Sequence, residues 1–260
     1  MKKMMYFIVI AGILAVTFTS CKKDKDDGDD NKLEAALIKT IGVEYSYADD
    51  VETYLFVYDT NKRIDTIYNY WNEEIDKILK YDYSVLGKLT IKNLTSGSDY
   101  RSYELNAQGM VSKEDWGGGE YALFTYDANG FLSTIVEHWG DADHLKYKAD
   151  ITNGNIIRHT RYADDGVTVT RIKEFFYTPG DNVFGIYQAS LIDNTFLPMG
   201  NLFGKPSAKL VQYLEYWDPR QDPIVKKRTD ITYEFDAKNR IIKMVRKGAD
   251  WQEEYTFTYY

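Results

Sequence analysis

YALFTYDANGFLSTIVEHW, Tyr121–Trp139, reads as two strands and the turn that joins them. Phe131, Ile135 and Trp139 fall on one face of the second run, as extended chain requires when one face is covered. Between the runs, Asp127 can accept from the amides that follow it, and Asn129 tolerates the left-handed region. Gly130 supplies the positive φ needed where the chain re-enters the ladder. The linker is therefore read as a type I turn with a glycine bulge, which sends the second strand back antiparallel to the first.

The same theme recurs along the chain: YLFVYDTNKRIDTIYNYW from Tyr54 and YEFDAKNRIIKMV from Tyr233, with Asn or Lys where Gly stood. Weaker copies begin at Tyr81, Tyr103 and Ala149, and another starts at Phe175. Alternation continues on the flanks. In RTDITYEFD, Ile231, Tyr233 and Phe235 oppose Asp230, Thr232, Glu234 and Asp236; in VTRIKEFFYT, Ile172 and Phe176 oppose Arg171 and Lys173. Roughly twelve to fourteen strands are expected, at the spacing of an all-β meander. Short helices are expected only around Lys32–Lys39 and Gly204–Tyr216. Residues 182–207 break the repeat as an irregular insertion. Its Phe184, Tyr187, Phe196, Pro198, Met199 and Phe203 predict packing over one end of the fold or into its lumen.

A meander of this length exposes two edges unless it closes, and closure into a barrel removes both. The hairpins resemble the YD repeats of large secreted shell proteins. Together with the amino-terminal pattern described below and the segment FLPMGNLFGKPSAKL (Phe196–Leu210), residues 34–260 are similar to a family of bacterial lipoproteins of unknown function with a porin-like fold. The resemblance implies an up-and-down antiparallel barrel in one domain, and it implies no catalytic residues. The aromatic end EYTFTYY looks like the last strand of an outer-membrane barrel. Against insertion stand Lys77, Glu137, Arg158, Arg171, Lys173, Asp230 and Lys243 on the weaker faces of their strands. A charge near the bilayer midplane costs about 2–4 kcal/mol. A barrel outside the bilayer, tied to it by an anchor, is expected.

The anchor is read from the first residues. Lys2 and Lys3 precede the apolar run Met4–Phe18, too short for an ordinary spanning helix and shaped like a secretory signal, residues 1–20. Thr19-Ser20-Cys21 resembles a lipobox, with Phe18 where Leu is usual. Cys21 is the only cysteine, so it has no disulfide partner within the chain, and it is expected to carry lipid. Two acyl chains would hold it stably. KKDKDDGDDN, residues 22–31, is too charged to bury and serves as a tether within 21–33. Its Lys-Asp-Asp runs resemble the surface-export signal of lipoproteins in Gram-negative gut commensals. The expected localisation is the outer membrane, facing the cell surface.

Composition bounds the function. A net charge of −8 excludes a nucleic-acid partner of the usual basic kind. No Gly-x-Ser-x-Gly elbow, His-Glu-x-x-His or phosphate loop occurs, and Gly117-Gly118-Gly119 lacks the helix and Lys-Ser/Thr that a phosphate loop needs. His138, His144 and His159 lack metal-ligand spacing, although His138 and His144 flank a turn that would let them face each other. No catalytic set, metal or cofactor is nominated. The surplus of 23 Tyr and 5 Trp is the stronger clue. Trp71, Trp116, Trp139, Trp217 and Trp251 sit at strand ends or beside turns, and with Phe196 they are the candidate ligand-binding residues, for a glycan or an apolar molecule. Three readings follow: a non-enzymatic binding protein, a carbohydrate- or lipid-processing hydrolase with two carboxylates in one cleft, and a structural barrel without a ligand.

Overall fold

An aspartate at the first position of a tight turn has the next amides within reach of its own carboxylate. The recurrent hairpin is built on that. In the computed structural model, which describes residues 37–46, 48, 50–182 and 202–260, Asp127 Oδ1 accepts from the amides of Asn129 and Phe131, both at 2.9 Å, and Gly130 has φ +87°. Asp59 and Asp236 repeat the arrangement, with Lys62 at φ 60° and Asn239 at φ 59° in the place of the glycine. Asn106 does the same for Gln108 and Met110. The signal peptide, Cys21, the tether and Phe196 lie outside the described residues.

The strands so joined are β1 (Ile38–Tyr45), β2 (Val51–Tyr58), β3 (Ile64–Trp71), β4 (Glu74–Asp82), β5 (Lys88–Asn93), β6 (Ser98–Leu105), β7 (Val111–Gly117) and β8 (Glu120–Tyr126). They continue as β9 (Leu132–Trp139), β10 (Ala142–Thr152), β11 (Asn155–Tyr162), β12 (Val169–Asp181), β13 (Lys209–Trp217), β14 (Lys227–Phe235), β15 (Ile241–Lys247) and β16 (Gln252–Tyr259). Each pairs antiparallel with its neighbours in sequence, and β1 pairs with β16, so the wall is a closed barrel without an edge. At the seam Ile41 faces Phe257 and Val43 faces Tyr255.

Sixteen strands exceed the twelve to fourteen expected, because turns such as Asn72-Glu73 carry positive φ without the aspartate punctuation. Neither expected helix forms among the described residues. Ile38 and Lys39 belong to β1, and 204–216 is an irregular crossing followed by β13. There a register shift between Tyr213 and Val211 lets Leu210, Val211 and Leu214 all join the core, a spacing that imitates a helical face.

Directly opposed residues share a face, so the register divides the wall into two surfaces. Buried residues from all sixteen strands form one cluster, which in a closed wall can only be interior. Phe56, Ile67, Val111 and Met244 are within it. The outside is polar: Lys243 Nζ lies 2.6 Å from Glu254, Lys80 Nζ 2.6 Å from Asp65, and Arg158 and Asp230 also point outward by register. Lys77, Glu137, Arg171 and Lys173, expected on the weak outer face, are inside instead. They pair with Asn69, Ala122, Arg161 and His159 across the inner surface. Arg158, Asp230 and Lys243 remain on the outer face, as expected.

Strand alternation gives the barrel two unlike ends. The Asp-turn hairpins, the entry of the chain at Leu37 and the end at Tyr260 lie at one, here called the closed end. Residues 202–208 cross it as a strap. The Val111 amide donates to Leu202 O at 2.7 Å, Lys205 N to Gly130 O at 2.8 Å, and Ala208 N to Gly154 O at 2.9 Å. Phe203 enters the core against Tyr103 and Phe124. Tyrosine hydroxyls tie the same end together: Tyr58 donates to Ile38 O, Tyr126 to Val111 O, Tyr177 to Ile156 O, Tyr233 to Val211 O and Tyr259 to Ile241 O. In each case an even strand clasps the start of the strand before it.

Candidate functional site at the open rim

At the opposite end, the open rim, inward residues turn from apolar to charged. Glu52 accepts from Tyr45 Oη at 2.9 Å, Tyr54 Oη at 2.5 Å and Asn69 Nδ2 at 2.8 Å. Arg101 pairs with the buried Glu114, Arg246 with Glu253 at 2.9 Å, and Lys146 with Glu137 at 3.4 Å. These pairings offset part of the cost of withdrawing charge from bulk water, although Asn69 Oδ1 is buried without a hydrogen-bond partner among the described residues.

All five tryptophans gather at this rim. Trp71, Trp139 and Trp217 end β3, β9 and β13, Trp116 is the penultimate residue of β7, and Trp251 immediately precedes β16. Their surroundings differ. Trp71 stacks on Tyr45 with centroids 6.3 Å apart, and Trp139 on His144 at 4.1 Å. Trp116 is exposed. Trp217 is buried on the outer side against Ile172, its cross-strand partner, with Lys226 Nζ 4.3 Å over its ring. Trp251 stands 5.7 Å from the Arg246 guanidinium. His138 and His144 do not face each other: His138 opposes Asp143 and stacks on Tyr121, whereas His144 opposes Glu137 on the inner face.

A cavity of about 510 Å³ opens at the rim between the β11–β12 and β13–β14 loops. Ligand pockets span roughly 300–1,000 Å³. Of the tryptophans only Trp217 reaches its lining. Basic side chains dominate instead: Lys146, Arg161, Arg171, Arg220 and Lys227, with the carboxylates Asp164 and Asp218. The reason lies in β12, where the apolar face is turned out. Ile172 and Phe176 pair with Trp217 and Tyr213 on the outer wall, Phe176 stacking on Tyr213 at 4.3 Å, so Arg171 and Lys173 point in. The hydrogen bond from Lys146 holds the Asp164 carboxyl below the usual range, and Arg220 brings Asp218 down to about 2. Both acids are ionised at neutral pH, so neither offers a proton.

Sequence reasoning missed this basic lining. The signal was present: Arg161 and Arg171 are equidistant from Gly166, and a hairpin centred there places them opposite each other.

No family model and no curated protein matches this chain. Among solved structures, a porin-like protein from Bacteroides uniformis ATCC 8492 superposes with a TM-score of 0.67 at 16% identity, over 87% of this chain and 99% of that one. The fold is porin-like. A second porin-like protein, from Bacteroides vulgatus ATCC 8482, superposes with a TM-score of 0.55 at 10% identity, over 86% of this chain and 99% of that one. Identities this low speak to fold alone, which agrees with the barrel expected from the hairpins. The porin-like wall here packs apolar side chains inward at the closed end and carries ion pairs such as Lys243–Glu254 on its outer face.

Proposed function

We propose that this porin-like barrel is a lipid-anchored envelope protein, facing the cell surface, that binds a ligand at its open rim and catalyses no reaction. The observation that carries the reading is the polarity of the molecule along its axis. The cavity and all five tryptophans are at one end, and the chain enters at Leu37 from the other. A tether from Cys21 to that closed end would leave the rim pointing away from the membrane. The packed interior supports binding over conduction, since Phe203 and the strap fill the closed end among the described residues. The hydrolase reading needs two converging carboxylates, one of them desolvated and protonated; Asp164 and Asp218 are both exposed to cationic partners and ionised.

The anchor is tested by metabolic labelling with a clickable fatty acid in a Gram-negative host, comparing the full chain with Cys21→Ala. The wild type should carry label, sediment with membranes and be cut by protease added to intact cells, and the variant should be unlabelled. A labelled variant, or one that resists carbonate extraction as the wild type does, removes the lipid-anchor reading. For the rim, screening the full chain against glycans and lipids should yield a ligand weakened by Trp217→Ala, the tryptophan that lines the cavity; hydrolysis of a probe would instead establish the enzyme.

A further inference from the structure

We propose that the rim cavity between the β11–β12 and β13–β14 loops is built for an oligoanion, a small molecule carrying at least two carboxylate, sulfate or phosphate groups. This deepens the binding reading above and rests on it.

The first observation is a pair of like charges in register. Arg161 on β11 and Arg171 on β12 are directly opposed on the inner face of an antiparallel pair, where like charges repel. Lys227 lies on the same face of β14, opposite Tyr216. None of these three cations has an ion-pair partner among the described residues.

The acids that could neutralise them are engaged elsewhere. Asp164 binds Lys146 at 2.8 Å, and both oxygens of Asp218 are taken by Arg220, at 2.9 and 2.6 Å. Arg161 and Arg171 feel those carboxylates only through longer-range attraction. The cavity thus keeps five cations against two acids in a chain whose net charge is −8. An uncompensated cluster of this sign, concave and open at the rim, is a focus of positive potential on an acidic protein.

The residue types say what fits. A guanidinium presents a planar fork that matches the two oxygens of a carboxylate, sulfate or phosphate, and an ammonium supplies a point charge. Two guanidinium groups and Lys227 together call for more than one oxyanion, and a single small anion would satisfy only part of the set. Tyr162 and Tyr216 in the lining add hydroxyl groups and ring faces beside the charges. A neutral sugar or an apolar molecule would leave the repulsion unrelieved.

The test is titration calorimetry on the full chain with four probes: trigalacturonate, a neutral trisaccharide, tripolyphosphate and inorganic phosphate. Trigalacturonate or tripolyphosphate should bind with 1:1 stoichiometry, at least tenfold more tightly than inorganic phosphate, and more weakly as salt rises. Which of the two binds separates an acidic saccharide from a phosphorylated ligand. Arg171→Gln should weaken that binding at least tenfold, and without ligand it should melt at or above the wild-type temperature, since it removes a repulsion. Arg161→Gln should behave alike. Tight binding of the neutral trisaccharide that survives Arg171→Gln would overturn the oligoanion proposal while leaving a binding rim intact. No binding of any probe, or oligoanion binding indifferent to both substitutions, would overturn the proposal by itself; the binding reading would then stand or fall on the wider screen.

Discussion

The Tyr126 hydroxyl donates to the carbonyl oxygen of Val111 at 2.6 Å, fastening the end of β8 to the beginning of β7. Val111 is fully buried, so no water can replace that donor. Four other tyrosines do the equivalent on β2, β12, β14 and β16. Five of the 23 tyrosines are thereby explained as closure of the barrel end, not as a ligand surface. A carbonyl left without its partner costs about 1–3 kcal/mol. Tyr126→Phe should lower the unfolding free energy by that amount, read as a lower urea midpoint with an unchanged slope; a variant as stable as the wild type would show the clasp to be incidental.

The turn residue at positive φ gives a second expectation. Lys62 adopts φ 60° where Gly130 adopts φ +87° in the equivalent turn. A non-glycine residue in the left-handed region costs roughly 1 kcal/mol. Lys62→Gly should relieve the backbone, less the extra entropy of the unfolded chain, for a net gain of a few tenths of a kcal/mol. Gly130→Ala should destabilise by roughly 1 kcal/mol through its positive φ, since the new Cβ would meet only the flexible Lys205 side chain, at an ordinary contact distance of 3.6 Å. Thermal melts of the two variants should move in opposite directions.

Phe203 is the strap's hold on the core, edge-on to Tyr103 at 5.9 Å and tilted against Phe124 at 5.7 Å. Phe203→Ala should cost about 3–5 kcal/mol. It should also raise the fluorescence of an apolar dye as the closed end loosens. Unchanged melting and dye binding would mean that the strap lies on a barrel already complete without it.

Acid stability follows from the turn and surface carboxylates. Asp59, Asp65, Asp82, Asp164, Asp165, Asp218 and Asp236 are all held below the ordinary aspartate range by amide, hydroxyl, guanidinium or ammonium donors. A carboxyl depressed in the folded state stabilises above its unfolded pKa of about 3.9 and loses that contribution as pH falls through the folded value. The denaturant midpoint should be flat from neutrality to about pH 5 and drop below about pH 4. A midpoint independent of pH down to about 2 would contradict these pairings.

The alkaline limb has the opposite sign. Burial raises the pKa of Tyr58, Tyr126 and Tyr177, and moves Tyr83 and Tyr259 up to about 12. A phenol raised in the folded state stabilises below its unfolded value of about 10 and loses that contribution as pH rises toward the folded one. In a spectrophotometric titration, the buried phenols Tyr58, Tyr83, Tyr126, Tyr177 and Tyr259 should ionise only together with unfolding. All phenols ionising near 10 in folded protein would remove the clasps.

The hairpins were legible because their signals are local. Asp127, Asn129 and Gly130 lie within one turn, and the alternation of Ile231, Tyr233 and Phe235 is a property of extended chain. Local pairing repeated along the chain leaves only closure to be decided. The turns that escaped notice, such as Asn72-Glu73, lack the aspartate. The face of β12 escaped for a different reason. Period two says that Ile172 and Arg171 are on opposite sides, and nothing local says which side is the lumen.

The amino-acid sequence by itself determined an antiparallel meander and the conformation of its Asp-turns, because those depend on φ, on side-chain reach within five residues and on alternation. Only the tertiary structure decided that β1 meets β16, that the strap with Phe203 covers the closed end, and that Arg161, Arg171 and Lys227 converge on one cavity. Those outcomes depend on the sum of bulges and registers around a closed wall. No short stretch of chain contains that sum.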